Sequence, residues 1–315
     1  MEFHPAPALG EQYELSLQAA GRFVRAVITE VAAAIRHLSV DGVEITAGYD
    51  DDVPPPFGCG TVLVPWPNRV RDGRWTYGGR TLQLDITEPD RGNAIHGLLC
   101  NTPYELIDRD DHTICLRAQV FPQNGYPFRL DTRVRYTLTA DGMQVTHTVR
   151  NVGSACAPVA VGAHPFLAIG DVPTDSLVLT LSADHHIDVD DRLNPVGSAP
   201  VHGTEWDLRG GAVVGTLDLD DAWSCPPTSG AGSTHSLTAP DGRTVSLWAD
   251  EQFGYVQVFI TRKFPRRGEL ITAVAIEPMT APADAFNSGV GLRWIEPGEY
   301  WSMSWAIRYH DVRVR

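Results

Sequence analysis

An all-β sandwich is the fold predicted by these 315 residues. Three observations carry the prediction: short runs that alternate apolar with polar residues, turn dipeptides that recur at short intervals, and almost no helical patterning. Taken in chain order, the one helix-like window is 31–38, whose alanines suit either state. Trp75-Thr76-Tyr77, Gly78-Gly79 and Thr81-Leu82-Gln83-Leu84 read as a hairpin. From Leu130, residues Thr132, Val134, Tyr136 and Leu138 alternate with Asp131, Arg133, Arg135 and Thr137. Asp141-Gly142 then turns the chain into Val145, His147 and Val149. Asp241-Gly242 joins 236–239 to 244–248 in a third hairpin, and after Glu296-Pro297-Gly298 a last half-buried strand alternates Trp301, Met303, Trp305, Ile307 and Tyr309 with polar or small neighbours. Strands in such number stack as a sandwich.

The length would allow two domains, but all-β folds often run long, and one domain over 1–315 is the expectation. The loop-like stretches 50–56 and 224–236 do not interrupt the strand patterning on either side, so they read as surface loops, not linkers. A chain of this size buries about three quarters of its unfolded surface and needs no disulfide or metal for a core. The cysteines at 59, 100, 115, 156 and 225 are odd in number and show no Cys-x-x-Cys, consistent with a reducing cytoplasm.

The net charge of −14 opposes nucleic acid and anionic membranes, so a neutral partner fits better. The N-terminal Met-Glu-Phe-His-Pro-Ala-Pro has no basic and apolar leader pattern, and no apolar run is long enough to span a bilayer. Gly-x-Gly-x-x-Gly, Walker, His-Glu-x-x-His and Gly-x-Ser-x-Gly motifs are all missing, so function rests on dispersed residues. Asp218, Asp220 and Asp221 lack the glycine and glutamate that a calcium loop requires. Arg262, Lys263, Arg266 and Arg267 form a dense basic run, read as a solvated loop.

Two positions stand out. Glu277 ends the apolar run Val274-Ala275-Ile276 against Pro278. If the run is a strand, Glu277 shares a face with Ala275 and Met279, while Val274 and Ile276 pack the other way. His164 ends Val159-Ala160-Val161-Gly162-Ala163 against Pro165, a junction of the same kind, and the two invite pairing as acid and base. Arg69, beside Trp66 in Pro65-Trp66-Pro67-Asn68-Arg69, offers a guanidinium and an indole to a hydroxylated ring, while His96 alone reads as a core histidine.

Together these segments resemble the aldose 1-epimerase family, the galactose mutarotases. The resemblance rests on Pro-Asn-Arg-Val at 67–70, Asp-Gly-Arg-Trp-Thr-Tyr at 72–77, Gly-Asn-Ala-Ile-His-Gly at 92–97, Gly-Ala-His-Pro-Phe at 162–166 and Glu-Pro-Met-Thr-Ala-Pro-Ala-Asp-Ala-Phe-Asn at 277–287, in the family's order. It implies a large antiparallel supersandwich with an open sugar cleft. By matching motif it implies His164 as general acid and Glu277 as general base. Arg69 and His96 would hold the sugar and polarise its ring oxygen, and Asp220 would bind hydroxyls, with Asp221 an adjacent rival. The implied partner is a free aldohexose such as galactose or glucose, with no cofactor and no metal, acted on by a monomer or weak homodimer. Two alternatives stay open: a hexose-6-phosphate 1-epimerase, and a sugar-binding module that has lost the reaction.

Overall fold

The computed structural model describes residues 7–226 and 230–311. Strands dominate, and among the described residues they gather into two large antiparallel sheets, a four-stranded one and three two-stranded pairs. The nine-stranded sheet runs, in spatial order, Glu105–Arg109, Thr113–Val120, Leu130–Thr139, Gly142–Asn151, Tyr300–His310, Thr244–Ala249, Ser233–Thr238, Val178–Thr180 and Ala212–Val213. The eight-stranded sheet runs Pro195–Pro200, His185–Val189, Asp220–Ser224, Tyr255–Arg266, Glu269–Met279, Gly162–Ala163 and Val62–Leu63, with Phe166–Leu167 also paired to Glu269–Met279. A four-stranded sheet holds Gln12–Ala19, Arg22–Thr29, Ile35–Val40 and Val43–Glu44.

The period-2 alternation supplies the core. Val134, Tyr136 and Leu138 from one large sheet and Val256, Val258, Val274 and Ile276 from the other belong to a single buried cluster. Burial of such side chains from water contributes about 25 cal/mol per Å² of apolar surface, so the face given to the core is fixed by the sequence pattern.

The expected hairpins form. Arg74–Tyr77 pairs with Arg80–Gln83, Leu130–Thr139 with Gly142–Asn151, and Ser233–Thr238 with Thr244–Ala249. The window 31–38 is not helical: Ala32 and Ala33 turn with positive φ, and Ile35–Val40 is a strand. Pairing to Arg22–Thr29 overrides the weak helical preference of its alanines. Among the described residues the one α-turn, Ala285–Ser288, lies in the segment after Pro282. Of the stretch 224–236, Ser224 and 233–236 belong to strands, and 227–229 lie outside the described residues, as do 1–6 of the N-terminal segment. Among the described residues no helix is long and apolar enough to cross a membrane. The basic run departs from a solvated loop: Arg262 and Lys263 lie within Tyr255–Arg266, and the Arg266 side chain is only 19% exposed and paired with Glu44.

Candidate active site

Strand register builds the site. In Glu269–Met279 the side chains of Val274 and Ile276 enter the main core, while Ala275 and Met279, on the other face, join smaller clusters. Glu277 is on that second face, as the alternation predicts. Gly162 pairs with Met279 and Phe166 with Ala275. His164 falls midway between those two pairs, opposite Glu277, where Pro165 interrupts the ladder. The backbone of His164 is fixed to Thr61 and Gly60 by hydrogen bonds of 3.1 and 2.8 Å. Its ring stacks on Phe166 at 5.2 Å, with Phe259 edge-on. Nε2 of His164 then lies 3.3 Å from Oε1 of Glu277.

Both groups are nearly dry, 4% and 2% exposed. Nδ1 of His164 and Oε2 of Glu277 have no protein partner. Burial, with the Asp220 carboxylate adding to it and Arg69 offsetting part, pushes the Glu277 carboxyl well above its usual pKa. Burial pushes the His164 imidazole down to about 4. Desolvation therefore favours the neutral forms of both groups in the sugar-free site.

A second layer comes from the same sheet face and the 67–97 segment. Gln257 stands directly across from Glu277, and Asp220 across from Phe259. Asn68, in a left-handed conformation and buried, donates to Oε1 of Gln257 at 3.0 Å. Nε2 of Gln257 donates to Asp220 at 2.8 Å, and Arg69 reaches the other Asp220 oxygen at 3.3 Å. Arg69 also forks onto Glu88, with Nε and Nη2 each 2.9 Å from one carboxylate oxygen. Burial would raise the Glu88 pKa, but the hydrogen bonds from Arg69 hold it below the usual range.

His96 follows the short pairing of Arg69–Val70 with Ala94–Ile95 and takes a left-handed φ of 64°. Its ring meets that of His164 edge-on at 5.3 Å, so it belongs to the constellation and is not merely a packed core residue. Burial first, then His164 and Arg69, keep its pKa well below the ordinary value, hence neutral. Gly97 next to it lies against the Val64 backbone, where a Cβ would meet the carbonyl oxygen at 2.2 Å.

Five separate strands or strand ends thus bring His164, Glu277, Arg69, His96 and Asp220 together. Asp221 is elsewhere: its carboxylate meets Nε2 of His186 at 3.1 Å, and His186 stacks on Trp206 at 3.9 Å. Trp66 also departs from expectation, because it is buried against Phe286 and does not stand beside the Arg69 guanidinium as a stacking surface. Glu88, Gln257 and Asn68 went unrecognised in the sequence. For Gln257 the signal was a buried amide between Tyr255 and Phe259 on a strand; for Glu88 there was only a loop carboxylate.

The sandwich of two large sheets with a carboxylate–imidazole pair on one face defines a class, the galactose mutarotase-like β-sandwich proteins. The family model for aldose 1-epimerase matches residues 13–308, and the chain belongs to that family. It is 31% identical to the Escherichia coli protein YihR over 283 residues, 89% of this chain and 88% of that one. A GalM/aldose epimerase homologue from C. elegans superposes with a TM-score of 0.81 at 16% identity, covering 96% of this chain and all of its own. A galactose mutarotase-like protein from Clostridium acetobutylicum gives 0.78 at 18%, covering 96% and 99%. At such identities the structural likeness speaks for the fold.

Proposed function

We propose that this chain, acting as one domain over 1–315, interconverts the α and β anomers of a free aldohexose such as galactose or glucose through His164 and Glu277. The observation that carries this reading is their 3.3 Å contact in a water-poor site. Mutarotation needs one proton removed from the anomeric hydroxyl and one delivered to the ring oxygen, and a pair that shares a single proton can do both.

In the reactive arrangement the shared proton has crossed from Glu277 to His164. The carboxylate takes the proton of the anomeric hydroxyl, the imidazolium gives its proton to the ring oxygen, and the bond between the anomeric carbon and the ring oxygen breaks. The resulting aldehyde turns about its first carbon–carbon bond. The ring hydroxyl then adds to the other face, with both proton transfers reversed, so the pair ends as it began. Neutral His96 offers a hydrogen bond to the ring oxygen as charge builds there.

Asp220 accepts hydrogen bonds from sugar hydroxyls. Arg69 has less to offer the sugar than its motif implies: Nε and Nη2 are committed to Glu88 and Asp220, and Nη1 is 3.4 Å from Asn68. Its main part is to hold Asp220 in place.

Support for a free sugar over a sugar phosphate comes from charge placement. Arg69, the arginine in this constellation, is already neutralised, and Arg266 lies nine residues from Gln257, about 30 Å of strand away. The test is polarimetry on freshly dissolved α-glucose, α-galactose and α-glucose 6-phosphate against the uncatalysed rate. Acceleration of a free hexose is expected. Tight hexose binding with no acceleration would leave a binding module instead, and acceleration of the phosphate alone would replace the substrate.

A further inference from the structure

Away from the acid–base pair, the rim of the four-stranded sheet meets the turn between Tyr255–Arg266 and Glu269–Met279 and forms a half-open cavity of about 220 Å³. Four guanidiniums converge on it from separate elements. Arg25 comes from Arg22–Thr29, Arg36 from Ile35–Val40, Arg266 from a strand end, and Arg267 from the turn. In a chain of net charge −14 such crowding of one sign is costly unless something answers it.

The protein answers only in part. Glu44 bridges Arg266 and Arg267, Asp50 lines the wall, and Glu14 pairs with Arg25 at 3.0 Å on the exposed side. Arg36 is spent on neutral acceptors, Gln12 and the Tyr49 carbonyl. His37, also on the wall, shows the remaining field: burial first, then all four guanidiniums, lower its pKa. Tyr49, 5% exposed and lining the same cavity, has a buried hydroxyl with no partner.

The turn gives a further indication. Arg267 and Gly268 both have positive φ, 51° and 79°, a two-residue hairpin geometry that favours asparagine, aspartate or glycine at its first position. An arginine stands there against that preference, with its side chain 76% exposed at the cavity rim.

We propose that this cavity is an anion site that takes a phosphate group, as inorganic phosphate or as a small phosphomonoester. A compact tetrahedral dianion matches guanidinium forks arriving from several directions, and a cavity of this volume suits a small anion. None of the cavity's lining residues is among His164, Glu277, Arg69, His96 and Asp220, and Arg266 stands at the opposite end of Tyr255–Arg266 from Gln257.

The test is thermal melting of the full chain in inorganic phosphate and in chloride at equal ionic strength, repeated with glycerol phosphate. Phosphate raises Tm by about 2–4 °C and the rise saturates. The double variant Arg25→Gln/Arg267→Gln, changed at exposed side chains, keeps the chloride Tm and loses the rise. His164→Ala keeps the rise, which separates this site from the catalytic reading. A rise with both probes identifies a site open to esters, and a rise with inorganic phosphate alone identifies a site for the free ion. Identical melting in phosphate and chloride, or a rise that survives in the double variant, overturns the proposal.

Discussion

His164 and Glu277 face one another across the single break in the pairing between 162–167 and 274–279, with 3.3 Å between imidazole and carboxyl. The break matters because Pro165 has no N–H to give the ladder, which frees the neighbouring side chain to turn inward. Packing then fixes the imidazole: Phe166 stacks on one side and Phe259 meets it edge-on. The result is an imidazole and a carboxyl held in contact where both are buried from water.

Removing either partner should abolish most of the acceleration. For His164→Ala and for Glu277→Gln we expect the mutarotation rate above background to fall by at least about 10²-fold, the lower range for loss of a positioned proton-transfer group. The double variant should be little worse than either single one, because the groups act as a unit. Polarimetry on freshly dissolved sugar measures this, and a single variant that keeps near wild-type turnover ends the role given to that residue.

The pH dependence follows from the same pair. Between the two shifted values it carries one proton and is competent. As pH falls through about 4, His164 gains a second proton and the base is lost. As pH rises through the elevated Glu277 value, the shared proton leaves and the acid is lost. The profile of kcat/KM should be a bell whose acidic limb lies well below the ordinary histidine range. An acidic limb near 6.5 would show that His164 is not desolvated in the working enzyme.

Much of this was legible beforehand for physical reasons. The hairpins at 74–83, 130–151 and 233–249 follow from side-chain alternation and turn dipeptides, which act locally. The face taken by Glu277 follows from the same period. The window 31–38 was not legible, because its strand pairs with residues upstream and its alanines carry little preference of their own. Nor was the support behind Asp220: Asn68 and Gln257 are 189 positions apart, and only the fold makes them hydrogen-bond partners. Asp220 and Asp221 differ by one residue and hence by sheet face, a choice that register alone decides.

Glu88 is expected to act as a positioning residue through Arg69. In Glu88→Gln the guanidinium loses its charged partner and its hold on Asp220 loosens, so KM should rise about tenfold, equivalent to about 1.4 kcal/mol of sugar binding. The uncompensated Arg69 charge should also favour ionised Glu277, since Arg69 already lowers that pKa. The alkaline limb should therefore move to lower pH. A merely structural Glu88 would leave that limb in place, so the full pH profile of the variant distinguishes the two.

Acid should weaken the fold through histidines outside the chemistry. His147 is buried against Trp305, whose indole donates to its Nε2 at 2.9 Å, and burial lowers its pKa to about 3. His235 accepts from the Ser182 amide at 3.2 Å, and burial lowers its pKa to about 4. Both are depressed in the folded chain relative to the unfolded one, so the unfolded state binds more protons as pH drops. Their contribution is fully present above the ordinary histidine value and is lost as pH falls toward 4, at most about 1.4 kcal/mol per pH unit for each group. Glu277 works in the opposite sense: its elevated folded pKa favours the folded state as pH falls toward its ordinary value, offsetting one histidine. With His37, His96, His147, His164 and His235 all lowered against the raised Glu277, Asp250 and His186, urea midpoints should fall between pH 7 and pH 5 at unchanged m-value. A midpoint that holds steady across this range would mean that these imidazoles are protonated in the native protein.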